Sequence, residues 1–80
     1  MTINYTTKGV CSRQINIEVE DGIIKDVQFV GGCNGNTQGV AALCIGRTPA
    51  DVIATIKGIR CGMKSSSCPD QLAIALEQAL

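Results

Sequence analysis

The chain reads as an α+β protein: a three-stranded antiparallel sheet followed by three helices packed on one of its faces. Three observations predict this. From Arg13 to Glu20 the residues Ile15, Ile17 and Val19 alternate with Asn16, Glu18 and Glu20, the pattern of a half-buried strand. Asp21-Gly22 then supplies the pair that a two-residue type I′ hairpin demands. Beyond Asn36 the apolar spacing lengthens to that of a helix and stays there.

The first strand is expected from Thr2 to Thr7, where Ile3 and Tyr5 share a face. Lys8-Gly9-Val10-Cys11-Ser12 breaks the pattern before the second strand. The return strand runs from Ile23 to Val30, but Val27 and Phe29 have one parity and Ile24 the other, so a bulge is expected near Lys25 and Asp26. Gly31-Gly32-Cys33-Asn34-Gly35-Asn36 follows as a sharp turn with Asn34 and Asn36 as candidate helix caps. Val40, Leu43 and Cys44 are spaced for the buried face of a first helix that Gly46 ends as a C′ residue. Thr48 caps a second helix with Pro49 at N1 and Asp51 at N3. Val52, Ile53 and Ile56 follow at helical spacing until Gly58, with Ile59 placed for a Schellman contact. After the loop Arg60-Cys61-Gly62-Met63-Lys64, Ser67 and Asp70 are spaced as cap and N3 partner of a last helix. Its expected stripe is Leu72, Ala75, Leu76, Ala79 and Leu80.

Eighty residues with one Phe, one Tyr and no Trp make a single small domain, residues 1–80, whose core is aliphatic. Such cores are marginal, and domains of this size often add a metal, disulfides or an oligomer, so a homo-oligomer is compatible with the sequence. A formal net charge of zero without a basic block argues against a nucleic-acid surface. No apolar run approaches membrane-spanning length, and the first residues lack a charged-then-apolar leader. A cytoplasmic location is expected, with no membrane partner.

Five cysteines are many for such a chain, and in a reducing compartment they point to metal or redox chemistry before a disulfide scaffold. Cys44 falls on a helix stripe, where a free cysteine serves as a small core hydrophobe. The other four, Cys11, Cys33, Cys61 and Cys68, fall at element boundaries. Meeting at one end of the sheet, they could hold one ion at Zn–S distances of about 2.3 Å. Four thiolates around a divalent ion leave net negative charge, which Lys8, Arg13, Arg60 and Lys64 lie close enough in sequence to offset. The spacings lack paired C-x-x-C knuckles, so from spacing alone metal, redox and inert readings stand level. With no histidine, a hydrolase of the Ser-His or Cys-His kind has no general base, and no catalytic residue is assigned.

The run Ser66-Ser67-Cys68-Pro69-Asp70-Gln71-Leu72-Ala73 resembles the motif that gives the TSCPD domain its name, with Ser66 in place of the threonine. Thr7-Lys8-Gly9-Val10-Cys11-Ser12, Gly31-Gly32-Cys33-Asn34-Gly35-Asn36 and Gly58-Ile59-Arg60-Cys61-Gly62 are similar to the same family. The stand-alone, four-cysteine branch is the one the pattern resembles, and its cysteines would be Cys11, Cys33, Cys61 and Cys68. Related domains lie at the C-terminus of adenosylcobalamin-dependent ribonucleotide reductases. The resemblance therefore implies a link to deoxyribonucleotide synthesis and a ribonucleotide reductase as partner. A chain of 80 residues is too small to be a complete reductase, so whether it is itself an enzyme stays open.

A more distant likeness is to iron-sulfur scaffolds of the IscU and NifU type, with Cys11, Cys33 and Cys68 at the corresponding places. The scaffold's aspartate two residues after the first cysteine is Arg13 here, the histidine before its last cysteine is Ser67, and Cys61 is extra. Four thiolates suit retention of a metal better than its release. The expectation is a small four-cysteine metal-binding module with zinc, or alternatively an iron-sulfur cluster, as cofactor. The other readings are a dithiol relay through Cys61 and Cys68, an iron-sulfur scaffold, and an accessory domain that binds nucleotide or nucleic acid.

Overall fold

The computed structural model describes residues 1–10, 12–31, 34–60, 62 and 66–79, and of residues 34–36 the backbone alone. In chain order it contains β1 (Thr2–Thr6), β2 (Ser12–Glu20), β3 (Ile23–Gly31), α1 (Asn34–Cys44), α2 (Pro49–Ile56) and α3 (Cys68–Ala79). The sheet order is β1-β2-β3 with both pairs antiparallel, which is the α+β architecture the alternation and period change predict.

The hairpin between β2 and β3 turns where expected. Asp21 has φ 54° and Gly22 φ 75°, both left-handed as a type I′ turn requires. The parity conflict in β3 is resolved by a bulge: Glu18 faces Asp26 and Val19 faces Ile24, which leaves Lys25 as the extra residue. Ile24 and Val27 can therefore both point into the core. A second irregularity, not expected from the sequence, falls at Arg13, because Ser12 faces Gly31 while Gln14 faces Val30. On the solvent face Thr2, opposite Glu18, donates its hydroxyl to that carboxylate and holds its pKa below the ordinary value.

The core lies between one face of the sheet and the helices. Ile15, Ile17 and Ile24 of the sheet and Leu72 and Leu76 of α3 are fully buried, with Val52 of α2 and Cys44 of α1 completing the cluster. β3 also has backbone partners in the connection between α1 and α2: Ile24 N–H donates to Arg47 O and Gly46 N–H donates to Ile24 O, each at 2.9 Å. Among the described residues no helix is long and apolar enough to cross a membrane.

The helices correct several expectations. α1 starts at Asn34, inside the stretch expected to be a turn, so Asn36 is a helical residue and not its cap. Cys44 is buried and Val40 half-buried, but Leu43 is 70% exposed. The face of α1 that meets the core is narrower than the stripe expected, because α1 packs chiefly on β3 and only slightly on α3, which leaves Leu43 uncovered. α2 is capped as read, with Asp51 N–H donating to Thr48 Oγ1 at 3.2 Å. Its end carries no Schellman motif, since Gly58 N–H donates to a carboxylate of α3 and Ile59 N–H reaches only Ile56 O. Ile59 is accordingly exposed. In α3 Leu72, Ala75 and Leu76 are buried as expected and so is Ala73, while Ala79 is exposed beyond the end of the sheet contact. Leu80 lies outside the described residues.

Candidate metal centre

The first turn of α3 gathers the side chains that carry any candidate chemistry. Ser67 caps the helix by accepting from Asp70 N–H at 3.1 Å, which places Cys68 at N1, Pro69 at N2 and Asp70 at N3. The Ser67 hydroxyl in turn donates to Ile59 O at 2.5 Å. Cys68 is 8% exposed, and its sulfur lies 3.2 Å from Ser12 Oγ, itself buried at the start of β2.

Two loops are tied to the same turn. Thr7 donates its hydroxyl to Ser12 O and its N–H to Arg13 O, closing the β1–β2 connection. Within that connection Lys8 N–H donates to Gln71 Oε1 at 3.1 Å. The segment after α2 arrives through Gly58, whose N–H donates to Asp70 Oδ1 at 2.6 Å. Between them Gln71 Nε2 donates to Ser66 Oγ at 2.9 Å, and Ser66 Oγ donates to Asp70 Oδ2 at 2.5 Å. The sequence spacing makes Asp70 an N3 partner of the cap, but its carboxylate serves the loop and Ser66 instead. Among the described residues no buried side-chain nitrogen or oxygen lacks a hydrogen-bond partner.

Of the four candidate ligands, Cys68 is described, and Cys11, Cys33 and Cys61 lie outside the described residues. Their neighbours are placed: Ser12 follows Cys11 and touches Cys68, Gly31 is two residues before Cys33 and faces Ser12, and Ile59 is two residues before Cys61 and accepts from Ser67. Among the described residues no three His, Cys, Asp or Glu side chains come together as a metal-binding group. Of the expected charge-compensating residues Lys8, Arg13 and Arg60 are exposed, and Lys64 lies outside the described residues. Cys44 sits elsewhere, in the core beside a cavity of about 150 Å³ lined also by Val40, Arg47, Val52 and Ile56. Burial pushes its thiol pKa up, against the opposing effect of Arg47.

Ser12 and Gln71 are the site residues that the sequence reading did not single out. The available signal was polar side chains flanking motif residues: Gln71 directly follows Asp70, and Ser12 directly follows Cys11.

Strands that deliver loops to a capped, cysteine-bearing helix turn define a small α+β domain organised around that turn. The TSCPD domain model matches residues 1–80, and the chain belongs to the TSCPD domain family. No curated protein and no solved structure matches it.

Proposed function

We propose that the protein is a small four-cysteine metal-binding module in which Cys11, Cys33, Cys61 and Cys68 hold one ion, zinc being the ion the donor set suits best. The observation that carries this reading is the convergence at Cys68. Residues within two positions of each of the other three cysteines are joined by contact, strand pairing or hydrogen bond to Cys68 or its neighbours. A buried sulfur with a hydroxyl 3.2 Å away fits a ligand, because that hydroxyl can donate to a thiolate and satisfy it out of water. When bound, the ion supplies a cross-link between the sheet and α3 that an aliphatic core of this size needs. A ribonucleotide reductase is the partner this reading favours, on the likeness of the family to a domain of such enzymes.

Elemental analysis of protein purified without oxygen tests the reading. One equivalent of zinc, lost on Cys→Ser substitution at residues 11, 33, 61 or 68 and kept in Cys44→Ala, supports it; a brown chromophore would replace zinc with an iron-sulfur cluster. Metal-free wild-type protein that folds cooperatively would sink it. The relay through Cys61 and Cys68 is less favoured, because an attacking thiolate needs access and Cys68 is buried.

A further inference from the structure

We infer that Gln71 and Asp70 are separate positioning residues for two of the cysteines: Gln71 fixes the loop that leads to Cys11, and Asp70 fixes the loop that leads to Cys61. The inference rests on the metal reading above for its effect on the cysteines. It stands on a chain of four hydrogen bonds that joins two backbone N–H groups fifty residues apart, the difference between positions 8 and 58. Lys8 N–H donates to Gln71 Oε1, Gln71 Nε2 to Ser66 Oγ, Ser66 Oγ to Asp70 Oδ2, and Gly58 N–H to Asp70 Oδ1.

The direction of this chain is fixed by chemistry. The Ser66 hydroxyl has one proton, which goes to Asp70, so its oxygen must accept from the Gln71 amide, and the amide oxygen is thereby turned to the Lys8 N–H. Reversing the amide would set an NH2 group against an N–H. Ser66, Asp70 and Gln71 are 8%, 7% and 5% exposed, so water cannot readily replace a missing member. Neither end of the chain is needed to start the helix, because the cap uses Ser67 Oγ and the backbone N–H of Asp70. Two buried polar side chains are thus committed to loops. Lys8 is three residues from Cys11, and Gly58 is three residues from Cys61.

The test uses the full chain supplied with zinc, in three forms: wild type, Gln71→Met and Asp70→Ala. Brief alkylation followed by peptide mass spectrometry should show Cys11 modified at least tenfold faster in Gln71→Met, with Cys61 near the wild-type rate. Asp70→Ala should show the reverse. Equal exposure of every cysteine in both variants, or no change in either, would overturn the assignment, since a merely structural role loosens the fold as a whole. Amide hydrogen exchange on the same samples keeps this apart from the metal reading. Lys8 should lose protection in Gln71→Met and Gly58 in Asp70→Ala whether or not zinc is taken up, and unchanged protection would defeat the inference. Should Asp70→Ala fail to fold, Asp70→Asn retains an acceptor for Gly58 N–H but leaves the Ser66 proton without its carboxylate. Its Gly58 exchange then falls between wild type and full loss, and wild-type exchange there would count against the inference.

Discussion

The hydroxyl of Ser12 and the sulfur of Cys68 lie 3.2 Å apart in the interior, joining the first residue of β2 to the first residue of α3 across 56 positions. Either atom can be the donor while the sulfur is a thiol, but only the hydroxyl can donate once the sulfur is a metal-bound thiolate. On the proposed four-cysteine reading, Ser12→Ala should therefore weaken zinc retention by about tenfold, in the range known for partners of metal ligands. Chelator competition measures this, and an unchanged affinity would show that the hydroxyl does nothing for the bound thiolate.

On the proposed four-cysteine reading, removal of the metal should cost the fold most of its stability. Structural zinc sites contribute on the order of 10 kcal/mol apparent at neutral pH, comparable to the whole stability of a small domain. Circular dichroism with a strong chelator should show loss of the cooperative melt, reversed by adding zinc.

The bulge at Lys25 separates a side-chain effect from a backbone one. Lys25→Ala should change stability by no more than about 0.5 kcal/mol, because the side chain is exposed. Deleting Lys25 should leave the protein folded with the same register, since Ile24 and Val27 then stand two apart and both face the core without a bulge. Urea unfolding of the first variant and soluble yield of the second are the readouts.

Leu76 is fully buried on α3 against the sheet. Leu76→Ala should cost about 2–5 kcal/mol, enough to unfold much of a domain this small. Val40, half-buried at the rim, should cost less on the same change, and a urea titration ranks the two.

Cys44 gives a pH dependence with a definite sign. Its folded thiol pKa is raised by burial, so the neutral form is favoured in the fold. The corresponding stability is fully present below the ordinary thiol pKa of about 8.5 and is lost as pH rises from there through the raised value. Between about pH 8 and about pH 10 the wild type should lose more stability than Cys44→Ala. Equal slopes in urea midpoint against pH would contradict this.

The sheet was legible because its signals are local. Alternation from Ile15 to Val19, the Asp21-Gly22 pair and the parity slip at Lys25 each refer to neighbours in sequence, and each has its counterpart in the structure. The cap at Thr48 was legible for the same reason. Leu43 and Ala79 misled because helical spacing names a face without saying how far the opposing surface extends. Ile59 misled differently. A helix end can satisfy itself or be satisfied by another element, and Asp70 claims Gly58 N–H before a Schellman bond can form. At the candidate site, Cys68 and its cap were readable from the motif, whereas the roles of Ser12 and Gln71 depend on partners 56 and 63 positions away.

The pairing of Ile24 with Gly46 and Arg47 bears on how the molecule keeps apart from its own kind. β3 is an edge strand, and an edge offers its unpaired backbone as a template for a neighbouring chain. At Ile24 both the N–H and the C=O are already engaged by the connection between α1 and α2. A second copy seeking to add a strand at the hairpin end of β3 would first have to displace that connection. The short link between the two helices thus acts as a guard against edge-to-edge aggregation, a duty that its role as a corner between α1 and α2 would not suggest.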